Sequence, residues 1–208
     1  MPLEMTPLRL YDGPLPTETA ELIEAAEEQI ERFQFTSPPI AGFVPSDFEL
    51  AYRALRGVKE QRLSAGEMFC EWGCGFGVVA GLAAQLGWTS YGIEVDGELI
   101  DEAEQLRAAF DLPTTLIEGS VLPQGAASLL DRAGDFVWLR DDGPAGYEEM
   151  GLEISDFDIV YAYPWPGEEE IIEELFWRFA GVGSLLVTYL GAEEIQVQRR
   201  VRSSGDRR

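Results

Sequence analysis

The chain has 208 residues, 46% of them hydrophobic and 25% charged, the balance of an ordinary globular protein and a length that suits one domain. Such a chain buries most of its apolar surface without disulfides or metals. A net charge of −23, with no histidine and with Lys59 as the sole lysine, disfavours nucleic acid as a partner and favours solubility and cationic ligands.

No apolar run reaches the roughly 18 residues that a membrane span needs. The start Met1-Pro2-Leu3-Glu4-Met5 shows no basic segment followed by a hydrophobic stretch, so a cytoplasmic, membrane-free protein is expected. The two cysteines, Cys70 and Cys74, are too few for a closed zinc site without histidine. The missing export signal argues against a disulfide. Cys70 therefore reads as a buried small residue and Cys74 as a loop residue, and no metal is expected.

Residues 1–16 carry four prolines and read as an extended arm. Over 17–33, Leu22, Ile23, Ala26, Ile30 and Phe33 recur at helical spacing between glutamates, which predicts an amphipathic helix. The prolines at 38 and 39 end it. Ser46 and Glu49 fit a capping box, so a second helix is expected from 46 to about Gly57.

Strands are predicted at 68–71, 90–94, 114–118, 157–163 and 184–190, with a further candidate at 195–201. Helices are predicted at 78–86, 98–110 and 168–180. Residues 121–156 are less regular, with a turn-rich stretch from Arg140 to Gly146. This alternation implies a Rossmann-like, doubly wound α/β fold: a mostly parallel sheet with helices on both faces, after a helical N-terminal extension. The expected divisions are an arm and helix over 1–42, a cofactor-binding domain over 43–202, and a disordered tail over 203–208, which ends a small basic cluster.

The segment Glu71-Trp72-Gly73-Cys74-Gly75-Phe76-Gly77 follows a strand and opens a helix. Glycines there let the backbone approach a ligand, and the helix N-terminus adds a positive dipole. A phosphate-binding P-loop would need Gly-Lys-Ser/Thr, but Val78 and Val79 follow Gly77. A dinucleotide fingerprint would need a third glycine where Val78 stands.

What remains, acid-x-Gly-x-Gly-x-Gly, resembles the first motif of the class I S-adenosylmethionine-dependent methyltransferases. The resemblance implies that Gly73, Gly75 and Gly77 make room for S-adenosylmethionine, with Glu71 near its methionyl amino group and Cys74 within the same turn. A second match supports it. Glu94 ends the strand Tyr91-Gly92-Ile93-Glu94 about 20 residues after the first glycine, where an acid grips ribose hydroxyls. The resemblance further places Val95 beside the adenine, Ser120 at the adenine edge where the family often has an aspartate, and Tyr161 along the fourth strand's contribution to the cofactor site. Phe43-Val44-Pro45-Ser46 is similar to an upstream element that borders the methionine end in a subset of the family.

At the fourth strand's end, Tyr163-Pro164-Trp165-Pro166 stands in the position of the fourth methyltransferase motif but does not match the Asn/Asp-Pro-Pro-Tyr form used on amide and base nitrogens. The usual acceptor of an amine proton is therefore missing. Tyr163 is expected to orient an amine, Trp165 to pack on a cation through its ring, and Glu168 to attract that cation. The turn equally reads as a rigid lead into a helix with an acidic first turn. The resulting expectation is a methyltransferase acting on a nucleophile, nitrogen before others, of a protein or a cationic small molecule. Its alternative is a non-catalytic module that keeps the fold and the cofactor for regulation or interaction.

Overall fold

The protein is described as a computed structural model covering residues 3–40, 42–126, 129, 139 and 146–202. Of the expected turn-rich stretch at 140–146, residues 140–145 lie outside the described residues, as does the tail at 203–208, and Gly146 begins a short helix. In chain order the elements are β1 (Leu3–Met5), α1 (Thr17–Thr36), α2 (Phe48–Glu60), β2 (Met68–Trp72), α3 (Val78–Gln85), β3 (Thr89–Glu94), α4 (Gly97–Ala109), β4 (Thr114–Glu118), α5 (Gly146–Met150), a 3-10 turn (Ile154–Asp156), β5 (Ile159–Ala162), α6 (Glu169–Phe179), β6 (Leu185–Gly191) and β7 (Glu194–Arg200).

Seven strands form one sheet in the order β1-β7-β6-β5-β2-β3-β4. The five from β4 to β6 are parallel, and β7 runs antiparallel between β6 and β1. This is the Rossmann-like α/β architecture that the alternation of elements implies. Within the arm, Leu3–Met5 pair with Gln198–Arg200 of β7 and so extend the sheet by one edge strand.

The two-residue alternation of the strands sends neighbouring side chains to opposite faces. Phe69, Ile159, Tyr161, Leu185 and Val187 join a core with α1, α2 and α3. Cys70, Val160, Ala162 and Leu186 join a second core with α6. Helix α1 buries Leu22, Ile23, Ala26, Ile30 and Phe33, the stripe read from its spacing. Each such large side chain contributes about 1.5–3 kcal/mol. Among the described residues no helix is long and apolar enough to cross a membrane.

Helix α2 departs from expectation at both ends. Asp47, not Ser46, is its N-cap, accepting the Leu50 N–H at 2.9 Å. Ser46 is turned instead toward Tyr161. At the other end Gly57 does not stop the helix, which continues to Glu60. A Cβ at Gly57 would strike the Arg9 carbonyl, so this glycine lets the N-terminal arm cross α2 at close range. The Arg53 guanidinium fastens that crossing by donating to the carbonyls of Tyr11 at 2.9 Å and Gly13 at 3.0 Å.

Candidate functional site

The chain leaves β2 toward β3 and β4 on one side and returns to β5 and β6 on the other. That order makes a switch point between β2 and β5, where open α/β sheets hold ligands beyond the strands' carboxyl ends. A cavity of about 340 Å³ lies there, in the range of small-molecule sites. Of the residues expected to act, Glu71, Gly73, Cys74, Gly75, Glu94, Val95, Ser120, Tyr161, Tyr163, Trp165 and Glu168 all border it. Gly77 is set back: a Cβ on it would stand 3.0 Å from Leu116 and 3.5 Å from Ala103, so its absence serves helix–strand packing.

The glycine turn is organised by two buried carboxylates. Glu94 is 8% exposed. Its Oε2 accepts the Gly75 N–H at 2.9 Å, and its Oε1 accepts those of Val95 at 2.8 Å and Asp96 at 3.1 Å. Glu71, 5% exposed, turns Oε2 to the Ala80 N–H in the first turn of α3, at 2.7 Å, where a helix N-terminus favours an anion. Burial raises both carboxyls above the usual range, Glu71 well above it, against the backbone N–H groups that hold them down; Glu94 adds repulsion at Glu71.

Gly73 and Gly75 have left-handed φ of +65° and +51°. Around Gly73 nothing lies within 4 Å of where a Cβ would stand, whereas at Gly75 a Cβ would come 2.8 Å from the Phe43 ring. Cys70 and Cys74 are buried free thiols, and burial pushes both up in pKa. The Ser120 hydroxyl accepts the Leu122 N–H at 3.1 Å.

At the β5 edge the expected acceptor residues are tied into the structure. The Trp165 indole N–H donates to the Gly42 carbonyl at 2.8 Å. Glu168, 4% exposed, accepts the backbone N–H groups of Trp165 and Leu139, each at 3.2 Å. Its neighbours diverge: Glu169 accepts the Gly167 N–H, and Glu170 faces solvent. The Tyr163 ring lies 4.6 Å from that of Tyr189 at 51°.

The segment from Phe43 to Ser46, expected at the methionine end, does border the cavity, and an unforeseen ring stack covers it. Phe43 stacks on Phe76 at 5.4 Å and 23°, and Phe33 meets Phe76 edge-on at 5.5 Å. The proline-bounded segment between α1 and α2 thus closes over the glycine turn. The aromatic at position 76, between two glycines of the motif, was the available signal. The described lining includes four carboxylates, on Glu71, Glu94, Asp96 and Glu168, and no basic side chain. A low-dielectric recess of this charge favours a cation.

No protein-family model matches the chain, and no curated protein matches it by sequence. Solved structures do match in shape. An RNA methyltransferase from Salinibacter ruber, in complex with S-adenosyl-L-homocysteine, is 14% identical with a TM-score of 0.53, covering 79% of this chain and 98% of that one. The O-methyltransferase from Bacillus cereus, in complex with the same compound, is 15% identical with a TM-score of 0.51, covering 84% of this chain and 66% of that one. With its sheet order and its cavity at the β2/β5 switch point, the chain has the fold of the class I S-adenosylmethionine-dependent methyltransferases.

Proposed function

We propose that this chain is an S-adenosylmethionine-dependent methyltransferase, with residues 43–202 as the catalytic unit and a nitrogen of a protein or small molecule as acceptor. The observation that carries the reading is the pairing of an open glycine turn with two buried carboxylates, Glu71 and Glu94, in a cavity with no described basic lining residue. That donor set fits a cationic adenosyl ligand better than a pyrophosphate.

An ionised carboxylate offers about four acceptor sites; three backbone N–H groups occupy those of Glu94, which leaves one for a ribose hydroxyl. Gly73 and Gly75 give the backbone room, Val95 flanks the base, and Ser120 meets its edge. Cys74 and Tyr161 wall the same space. Gly77 supports the turn from behind. Bound S-adenosylmethionine supplies an electrophilic methyl on a sulfonium, open to in-line displacement. The chain positions the acceptor and excludes water, through Phe43 over Phe76 and through Tyr163 and Trp165 at the β5 edge.

Net charge supports an acceptor other than a polyanion, although the fold, shared with an RNA methyltransferase, does not separate the two. The two free thiols support a cytoplasmic setting. A second reading, a cofactor-binding module without catalysis, draws on the engagement of Trp165 with Gly42 and of Glu168 with Trp165 and Leu139.

Calorimetry with S-adenosylmethionine, S-adenosylhomocysteine and NAD tests the reading, with adenosyl ligands expected to bind and NAD not. Preference for NAD, or no binding at all, overturns it. Transfer of a labelled methyl group into a cell extract separates enzyme from module.

A further inference from the structure

Sequence position sets Trp165 at a cationic acceptor, yet its indole N–H has a partner within the chain: the Gly42 carbonyl, 123 residues away, at 2.8 Å. The backbone that carries the indole is held firmly. Pro164 and Pro166 flank it and restrict its dihedrals on both sides. Glu168 grips the same residue twice: its Oε2 accepts the Trp165 N–H at 3.2 Å, and its own N–H donates to the Trp165 carbonyl at 2.9 Å. A donor on so fixed a backbone holds its partner at little cost in side-chain freedom.

What it holds is the cover of the glycine turn. Residues Gly42 to Ser46 all border the cavity. Within them Phe43 stacks on Phe76 and stands 2.8 Å from where a Gly75 Cβ would lie. Two side chains from β5 and the turn after it tie this segment at its ends, Tyr161 at Ser46 and Trp165 at Gly42. The two ends differ. Ser46 runs directly into α2, whose N-cap Asp47 is bonded to Leu50. Gly42 has a left-handed φ of +88°, which glycine adopts readily, and small residues of this kind serve as hinges. Val44 is 46% exposed, so solvent lies beyond the segment and leaves it room to lift.

We propose that Gly42 to Ser46 form a gate over the cofactor turn, and that Trp165 is the positioning residue that latches it shut. Ligand exchange is then set from the turn after β5, the edge where the acceptor is expected. The ligand in this assignment rests on the cofactor reading above; the latch itself does not. Because the latch is closed in the ligand-free protein, opening precedes both entry and exit. A gate of this kind governs rates more than affinity.

Stopped-flow binding of S-adenosylhomocysteine to the wild type and to Trp165→Phe, which keeps an aromatic ring and loses the N–H, tests the gate. Fluorescence of the remaining tryptophans, of which Trp72 borders the cavity, reads binding in both. Association and release are both expected to quicken by about three- to tenfold, the fold-change of one neutral hydrogen bond, with Kd changed less than about twofold. Faster release with unchanged association makes Trp165 a ligand contact and overturns the gate, as does no change in either rate. Hydrogen exchange in the ligand-free proteins gives a second readout. In Trp165→Phe the amides of residues 42–46 should exchange faster by a similar factor, while those of β5 and β6 keep their protection. A speed-up shared by the strands, or none at 42–46, overturns the latch. If the wild type binds no adenosyl ligand, the cofactor reading falls and the exchange measurement alone decides the latch.

Discussion

Replacing Glu94 by alanine removes the one side chain that gathers the N–H groups of Gly75, Val95 and Asp96. A hydrogen bond to a charged group contributes about 1.5–3 kcal/mol, and three that share one carboxylate are not additive. The cost of burying that carboxylate, visible in its raised pKa, offsets part of their sum. We expect Glu94→Ala to destabilise the ligand-free protein by about 3 kcal/mol, since three donors lose their acceptor in a site only 8% exposed. At about 2–4 °C per kcal/mol for a chain of this size, Tm falls by about 6–12 °C. Glu94→Gln keeps one acceptor oxygen but sets an NH2 group against an N–H, and is expected to lose about half as much. Thermal and urea unfolding of the ligand-free proteins measures both. A Glu94→Ala loss below about 0.5 kcal/mol, the size of an ordinary surface substitution, refutes the view that this carboxylate organises the glycine turn. Affinity for S-adenosylhomocysteine should also fall, by more than about tenfold.

The raised values of Glu71 and Glu94 make binding of a cation pH-dependent. The folded chain holds protons on these groups that the unfolded chain releases. Their contribution to stability is therefore full below the ordinary glutamate value of 4.5 and is lost as pH rises through their raised values. A bound cation favours the charged carboxylates, so S-adenosylmethionine should release protons and bind more tightly as pH rises above the ordinary glutamate value of 4.5 toward their raised values. Calorimetry in buffers of different ionisation enthalpy reads this directly, and pH-independent affinity with no proton release contradicts it.

Gly75→Ala forces a left-handed residue and pushes on the Phe43 ring. It should cost about 2–3 kcal/mol, against about 1 kcal/mol for Gly73→Ala, where only the φ strain applies. Equal losses of Tm in the two variants show that Phe43 is not seated on the turn.

Much of this protein is legible in its sequence because it is a matter of local periodicity. The apolar spacing of 17–33 gave α1, the short runs around Phe69, Ile93, Val160 and Leu186 gave buried parallel strands, and Gly73, Gly75 and Glu94 announced a ligand turn at the right separation. What failed locally failed where a distant partner decides. Gly57 reads as a helix stop until the Arg9 carbonyl crosses it. Ser46 reads as a cap until Tyr161, 115 residues away, claims its hydroxyl.

The same division runs through the candidate site. Sequence alone named as site residues eleven that border the cavity, because motif spacing along consecutive strands survives folding: strands of a parallel sheet deliver their carboxyl ends to one edge. It did not say what those residues do there. Only the tertiary structure turned Glu168 inward away from Glu169 and Glu170, spent the Trp165 N–H on Gly42, and laid Phe43 over Phe76. The reason is physical. A hydrogen-bonding group takes its partner by proximity in space, and for a buried carboxylate or indole that partner lies on another element, at a separation no local pattern encodes.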